Sequence, residues 1–287
     1  MIFLYPLLPQ LMKEFSFFKA IQEMAKTKGE NEYLDSILQK YNNKLPVLLV
    51  GLVHLSTLKQ RLKEWAGNCL IEICNSGSYA KGTAIKLSSD IDYLISLKSD
   101  CNENNGGLQS IYNSLYERLC LHYKNVRKQN VSFRLNINGL EVDVTPARKH
   151  RGNTNNHWLF ISKKNTWKQT NIQKHINDIS QSGRIKEIKL FKIWRELHKL
   201  DFPSIYLEYL IVKEILIFKP KDNIESNFWS ILENLAQGKN ASLGKRLIDP
   251  ANSSNILSDL LTNNEKDKVV FQAKKSLEQS FMNKIIW

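Results

Sequence analysis

The chain has 287 residues, 42% of them apolar and 10% aromatic, with a net charge of +13. That is enough to bury a core in one large domain or two lobes, and it excludes a disordered tail. The charge points to polyanions as partners: nucleic acid, nucleoside triphosphates or acidic membranes. Small basic clusters stand at Arg127-Lys128 and at Arg148-Lys149-His150-Arg151, while most other lysines read as a solvated surface.

The first residues, Met1-Ile2-Phe3-Leu4-Tyr5-Pro6-Leu7-Leu8-Pro9, lack a basic leader and are broken by prolines. No signal peptide is expected there, and no run reaches membrane-spanning length. The stretch also reads as an upstream start preceding Met12, and residues 1–12 are given no role. Residues 13–66 read mostly as helix, with breaks near Gly29 and Pro46. Leu49, Leu52, Val53, Leu58, Leu62 and Trp65 roughly share one helical face. Leu70 to Cys74 reads as a short strand leading into Gly77-Ser78, and Asp90 to Leu97 as a second strand. A helix is expected from Leu108 to Tyr123. Val131 to Leu135 and Leu140 to Thr145 read as a hairpin turning at Asn138-Gly139. After Pro146 the character changes, and helices are expected at Ile176 to Ile179, Ile185 to Leu200, Ile205 to Phe218 and Phe228 to Leu235. Strands beside a helix, followed by a helical half, make the fold class α+β. The boundary is expected near residue 150, with a first lobe over 1–150 and a helical lobe over 151–287. The four cysteines, Cys69, Cys74, Cys101 and Cys120, form no C-x-x-C pair, so reduced thiols in a cytosolic protein are expected.

The stretch Gly77-Ser78-Tyr79-Ala80-Lys81-Gly82-Thr83, followed by Asp90-Ile91-Asp92, carries the chemistry. A small-residue turn can bring backbone N–H groups onto a phosphate. Residues i and i+2 of a strand face the same side, so Asp90 and Asp92 can grip the same metal ions. As plain turn residues the two aspartates would cap a loop. That reading fits Asp92 poorly, because it abuts the apolar run Tyr93-Leu94-Ile95 and a carboxylate there needs a partner. Metal-assisted nucleotidyl transfer calls for a third carboxylate on an adjacent strand. In Leu140-Glu141-Val142-Asp143-Val144, Glu141 and Asp143 share one face; Asp143 is the choice, and Glu141 reads as a solvated strand residue. Asp90, Asp92 and Asp143 are thus the catalytic and metal-ligating candidates. Their hard oxygens suit two Mg²⁺ ions, with Mn²⁺ as a substitute. One ion would hold the donor triphosphate and the other would acidify the attacking hydroxyl. Gly77 and Ser78 would clasp the outgoing phosphates.

In the helical half, Lys192 falls between Ile185 and Ile188 on the wheel of an almost wholly apolar helix. It either snorkels outward or meets an anion, and donor phosphate is the expected anion. Ser204 is a second phosphate candidate, equally readable as the N-cap of the next helix. His175 reads as a packing or surface residue. No Walker A, G-x-S-x-G or H-E-x-x-H pattern occurs.

Gly77-Ser78, Lys81-Gly82-Thr83, Asp90-x-Asp92 and Val142-Asp143 resemble the polymerase-β-type nucleotidyltransferase superfamily. The longer string GSYAKGTAIKLSSDIDYLISL, then VDVTPAR, QTN…H and EIKLFKIWRELHKLDFPSIYLE, resembles the CD-NTases, the cGAS/DncV-like nucleotidyltransferases of bacteria. The resemblance covers roughly residues 45–218. It implies a catalytic lobe with a mixed sheet, a helical C-terminal lobe and NTPs bound in the cleft between them. It assigns Asp90, Asp92 and Asp143 to Mg²⁺, and Ser78, Lys192 and Ser204 to donor phosphates. It implies a cyclic di- or trinucleotide product that activates an effector in anti-phage (CBASS-type) defence. The chain departs from many relatives at Ile172, where they have proline after asparagine, and at Ile205, where they have an aromatic. Both departures bear on base choice. No zinc-binding insertion is present.

The expected partners are nucleoside triphosphates acting on a cytoplasmic monomer without a membrane, any regulatory protein or nucleic acid being left open. Two other readings stand beside this one. A template-independent RNA-tailing or linear oligonucleotide synthase, including a tRNA nucleotidyltransferase, would use the positive charge to bind RNA. A catalytically inactive nucleic-acid-binding protein would have no use for three acids in a basic cleft.

Overall fold

A computed structural model of the protein describes residues 29–42, 49–88, 90–152 and 154–287. The expectations for residues 1–28 and for the break at Pro46 lie outside these described residues. Among them, no helix is long and apolar enough to cross a membrane.

A helical segment over 29–40 (α1) precedes α2 (Leu49–Ala66). The strand β1 (Leu70–Ser76) runs into the short α3 (Gly77–Lys81), and β2 (Ile91–Leu97) leads to α4 (Gly107–Cys120). Next come β3 (Arg127–Lys128), β4 (Phe133–Ile137), β5 (Leu140–Lys149), β6 (His157–Ile161) and β7 (Thr166–Thr170). All seven strands form one sheet in the order β1-β2-β5-β4-β3, with β6 on β5 and β7 on β6. The β2–β5 pair is parallel and its neighbours β1–β2 and β4–β5 are antiparallel, so the sheet is mixed. Asn138 and Gly139, with φ +50° and +85°, make the two-residue hairpin turn that the sequence signalled.

Alternation sets the two faces of this sheet. Ile91, Tyr93, Ile95 and Leu97 of β2 join Phe133, Leu135, Val142 and Val144 under α2 and α4, packed on Leu58, Leu62, Ile111 and Leu115. Each such fully buried side chain contributes about 1.5–3 kcal/mol. In α2, Leu55 joins this core and Val53 is exposed, so the apolar face is rotated slightly from the sequence reading. Asp92 and Leu94, which alternate with the core residues, face a cleft on the opposite side.

The second half contains α5 (Ile172–Ser180), α6 (Ile185–Leu197), α7 (Ser204–Leu210), a π-helical turn (Ile211–Ile215), α8 (Ile224–Ala236), a hairpin of β8 (Ile248–Asp249) and β9 (Asn252–Ile256), and α9 (Asn263–Leu277). Phe191, Trp194, Tyr206, Phe228 and Leu232 form its core. Leu34 and Ile37 of α1 belong to this same core, although they stand far away in sequence.

Three features differ from the sequence expectations. The sheet continues past residue 150 through β6 and β7, so we place the change of lobe after Thr170. The helix expected from Ile205 to Phe218 closes at Leu210 and passes into the π turn. The reduced state expected of all four cysteines is corrected for two of them: Cys69 and Cys101 form a disulfide, with Cα atoms 5.6 Å apart, while Cys74 and Cys120 are free. Their sequence separation of 32 leaves no local signal of pairing.

Candidate active site

β1 ends at Ser76, opposite Asp92 in the antiparallel register, and the chain turns at Gly77 into α3. Gly77 has φ +64°, and a Cβ there would lie 1.8 Å from Asp92 Oδ2. Only glycine permits both the conformation and the approach. The Gly-Ser turn is thereby pressed directly against the carboxylate.

Parallel pairing sets Asp92 beside Asp143, and antiparallel pairing sets Asp143 opposite Arg134. Asp90 immediately precedes β2. The Arg134 guanidinium gathers the acids. Its Nε donates to Asp143 Oδ1 at 2.8 Å and its Nη2 to Asp143 Oδ2 at 2.8 Å. Its Nη1 donates to Glu141 Oε2 at 3.1 Å, and Nη2 also donates to Asp90. Glu141, read from sequence as solvated, takes a second partner in Arg127 at 2.9 Å.

Electrostatics follow from this crowding. Burial pushes Asp92 up to about 6, and the charges of Asp143 and Asp90 act in the same direction. Asp90 is raised by burial, against the pull of Arg134. The hydrogen bond to Asp143 holds Arg134 all the more firmly charged.

The donor set fits a hard divalent cation: carboxylate oxygens from Asp90, Asp92 and Asp143, with positive charge already drawn among them. Among the described residues, no three acid, imidazole or thiol groups are drawn together tightly enough to cage an ion. Asp90 and Asp143 close on Arg134 instead.

Two expected outcomes arise here. Arg134→Ala should lower the stability of the metal-free protein by about 2 kcal/mol, because it strips charged hydrogen bonds from clustered acids. Mg²⁺ should then stabilise the variant more than the parent, since no guanidinium competes for the carboxylates. Thermal melts in EDTA and in Mg²⁺ check this, and an identical metal response in both proteins would refute it. Asp92→Asn should stabilise the metal-free protein at neutral pH. Its folded carboxyl titrates near 6, above the ordinary 3.8, so ionisation opposes folding. That penalty is absent below the unfolded value, grows as pH rises between the two, and is full above the folded one. The advantage of Asn over Asp should therefore reach about 3 kcal/mol near pH 7.5 and vanish near pH 3.5. Denaturant unfolding across that range tests it.

A second cluster joins the two halves. Lys81, at the end of α3, donates from Nζ to Glu208 Oε2 of α7 at 2.7 Å. Thr83 Oγ1 donates to Glu208 Oε1 at 2.9 Å, and Lys192 Nζ to the Thr83 carbonyl at 3.0 Å. Lys192 is 1% exposed, so it does not snorkel. Burial brings it down to about 8, against the pull of Glu208, while Arg195 and Lys81 add to the fall. Ser204 opens α7 and accepts from Arg195 Nη1 at 2.9 Å; Pro203 holds the N-cap position.

Between the halves lies a cleft of about 710 Å³, a size suited to nucleotide-scale ligands. Gly77, Lys81 and Asp92 line it at one end, and His175, Asp249 and Asn255 stand in its helical wall. Lys164 and Lys168 supply positive charge, and burial lowers the proton affinity of Lys168. Lys192 and Ser204 lie behind this surface, while Ile205 reaches it. The structure thus groups Asp90 and Asp143 at Arg134, Gly77 at Asp92, and Lys192 at Thr83. His175, read as a packing or surface residue, is buried and bonds Asp249 Oδ1 through Nε2 at 2.8 Å. Sequence reasoning overlooked Arg134 and Glu208. The hairpin turn held the signal for Arg134, because pairing outward from Ile137–Leu140 sets Arg134 opposite Asp143.

Residues 53–182 match the family model described as Second Messenger Oligonucleotide or Dinucleotide Synthetase domain, SMODS. They span the Gly-Ser turn, all three aspartates and Arg134. This is a CD-NTase-type nucleotidyltransferase domain. The fold of the CD-NTases extends over most of the chain. CdnC of E. coli MS115-1, solved in complex with HORMA-deltaN, aligns with a TM-score of 0.64 at 20% identity, over 85% of this chain and 88% of that one. CdnG of Bradyrhizobium diazoefficiens, solved with GTP, gives 0.60 at 11% identity, over 79% and 86%. The Cid1 poly(U) polymerase bound to MgATP gives 0.63 at 13% identity, over 89% and 96%. Identities this low make the likeness one of fold. No curated protein matches the chain by sequence. The second-messenger synthetase domain makes the chain a nucleotidyltransferase, and the fold around that domain is the one these solved proteins share.

Proposed function

We propose that the protein joins nucleoside triphosphates into a cyclic di- or trinucleotide second messenger, in anti-phage signalling of the CBASS type. The match of residues 53–182 to a second-messenger synthetase domain carries this reading. Asp90, Asp92 and Asp143 would hold Mg²⁺. Bound there, the ion would neutralise triphosphate charge and acidify the attacking hydroxyl. CdnG with GTP and Cid1 with MgATP support triphosphates as substrates and a divalent ion as cofactor.

The cleft residues would act as follows. Ser78 and the Gly77 turn clasp the phosphates next to Asp92. Lys164 and Lys168 draw the triphosphate into the cleft. An acceptor hydroxyl loses its proton to the carboxylate cluster and its oxygen bonds the α-phosphorus. The bond to the β-phosphate breaks and pyrophosphate leaves. Lys192, expected at the donor phosphates, would act through the Thr83 carbonyl that it braces, and Ser204 through α7. A regulatory protein partner is also proposed, on the strength of the CdnC:HORMA-deltaN complex.

The test is incubation with all four NTPs and Mg²⁺ or Mn²⁺, followed by phosphatase and mass spectrometry. A ring has no terminal phosphate and survives. The fold shared with a poly(U) polymerase favours one competing activity, RNA tailing. If label enters only added RNA and NTPs alone give nothing under activating conditions, tailing replaces cyclisation.

A further inference from the structure

Glu141 stands outside the aspartate set but is tied to it through one side chain. It precedes the core residue Val142 on β5, so it shares the sheet face that carries Asp143 and Asp92. That face holds a charged row across four strands. The register sets Arg127 of β3 opposite Arg134 of β4, Arg134 opposite Asp143 of β5, and Asp143 beside Asp92 of β2. Like charges directly opposite each other on paired strands are unfavourable. Glu141 offsets the two arginines by reaching both. Its Oε1 accepts from Arg127 at 2.9 Å, and its Oε2 accepts from Arg134 at 3.1 Å.

The nitrogens of Arg134 divide between two sets of partners. Nε and Nη2 donate to Asp143, and Nη2 also to Asp90, the carboxylates read as metal ligands. Nη1 donates to Glu141 instead. The Glu141 bond can therefore stay made while the bonds to the aspartates are released. Such a retained bond matters because the Arg134 side chain is only 24% exposed. A guanidinium turned off the aspartates with no other carboxylate in reach would be partly dry and unpaired, which is unfavourable. Arg127, with its side chain 63% exposed, holds Glu141 from the outer side of the row.

We propose that Glu141 is the second seat of Arg134: it keeps the guanidinium in place when Asp90 and Asp143 turn to a divalent ion, and so makes those acids easier to free. The proposal rests on the reading that these acids hold such an ion. Glu141 is then a positioning residue that acts through Arg134.

The test is a double-mutant cycle read as Mn²⁺ affinity. The electron paramagnetic resonance signal of the free ion is titrated with nucleotide-free protein, so no turnover is needed. Glu141→Gln keeps the shape and one acceptor oxygen but loses the charge that competes for Arg134. It should weaken Mn²⁺ binding about fivefold. Arg134→Ala should strengthen binding, and adding Glu141→Gln to it should then change the affinity by less than about twofold. If the alanine variant does not fold by circular dichroism, Arg134→Gln completes the cycle. Asp143→Ala should abolish the bound ion, which ties the signal to these acids. An equal loss from Glu141→Gln with and without Arg134 would mean that Glu141 acts on the ion directly, and would overturn the proposal. Unchanged affinity in a folded Glu141→Gln protein would do the same. A parent that binds no Mn²⁺, or binds it equally well after Asp143→Ala, would overturn the metal reading and the proposal with it.

Discussion

Asp92→Ala should reduce nucleotidyl transfer by about a thousandfold or more while the protein stays folded. Asp92 is the carboxylate against which the Gly-Ser turn closes, and it stands beside Asp143 in the β2–β5 register. A phosphate on that turn and a cation on those oxygens would be direct neighbours, so removing the acid separates the two. Asp90→Ala and Asp143→Ala should have losses of similar size, and either loss should also free Arg134 from one of its anchors. The measurement is single-turnover product formation at saturating NTP and Mg²⁺, with circular dichroism as the check on folding. Near-normal turnover in a folded Asp92→Ala protein would remove the carboxylates from the mechanism.

Glu208→Ala should destabilise the protein by about 3–5 kcal/mol, the cost of breaking a buried ion pair from one side. Glu208 is fully buried and accepts from both Lys81 and Thr83. Without it, Lys81 is left charged in a dry interface beside Lys192, whose proton affinity is already depressed. Glu208→Gln keeps the shape and one acceptor oxygen, so it should lose less stability. If the buried cluster also sets the position of α3, the Gln variant should show a raised KM for NTP with kcat little changed. Denaturant unfolding and steady-state kinetics check the two parts. A loss in Glu208→Ala below about 1 kcal/mol would mean that water reaches Lys81 and that the pair is weaker than its burial implies.

The sequence carried the catalytic half well where signals are local. Asn138-Gly139 announced the hairpin, and the small-residue turn before Asp90-x-Asp92 announced the strand–turn–strand unit. What it did not reveal depends on packing between distant segments. β6 and β7 were overlooked because Trp158-Leu159-Phe160-Ile161 is apolar on both faces and Trp167-Lys168-Gln169 places its aromatic in solvent, so neither shows the usual alternation. The docking of α1 on the helical half rests on Leu34 and Ile37 meeting residues more than half the chain away. α9 was overlooked as well, although Thr262 and Glu265 form a capping box at its start. Lys192 was correctly placed among apolar neighbours, but no pattern within its helix could show that the Thr83 carbonyl receives it.

α3 is a five-residue rod that begins at one glycine in the left-handed region, Gly77 at +64°, and is followed by another, Gly82 at +75°. One end touches Asp92 of the sheet, and the other is fastened to α7 through Lys81 and Glu208. A rod pinned at both ends and swivelling at both joints transmits angle into distance. Any widening of the cleft must lift Ser78 away from Asp92 or rupture the Lys81–Glu208 bond. Alignment of phosphate with carboxylate is then a property of the closed cleft, and a reactant too small to touch both walls would leave the two parts of the site out of step.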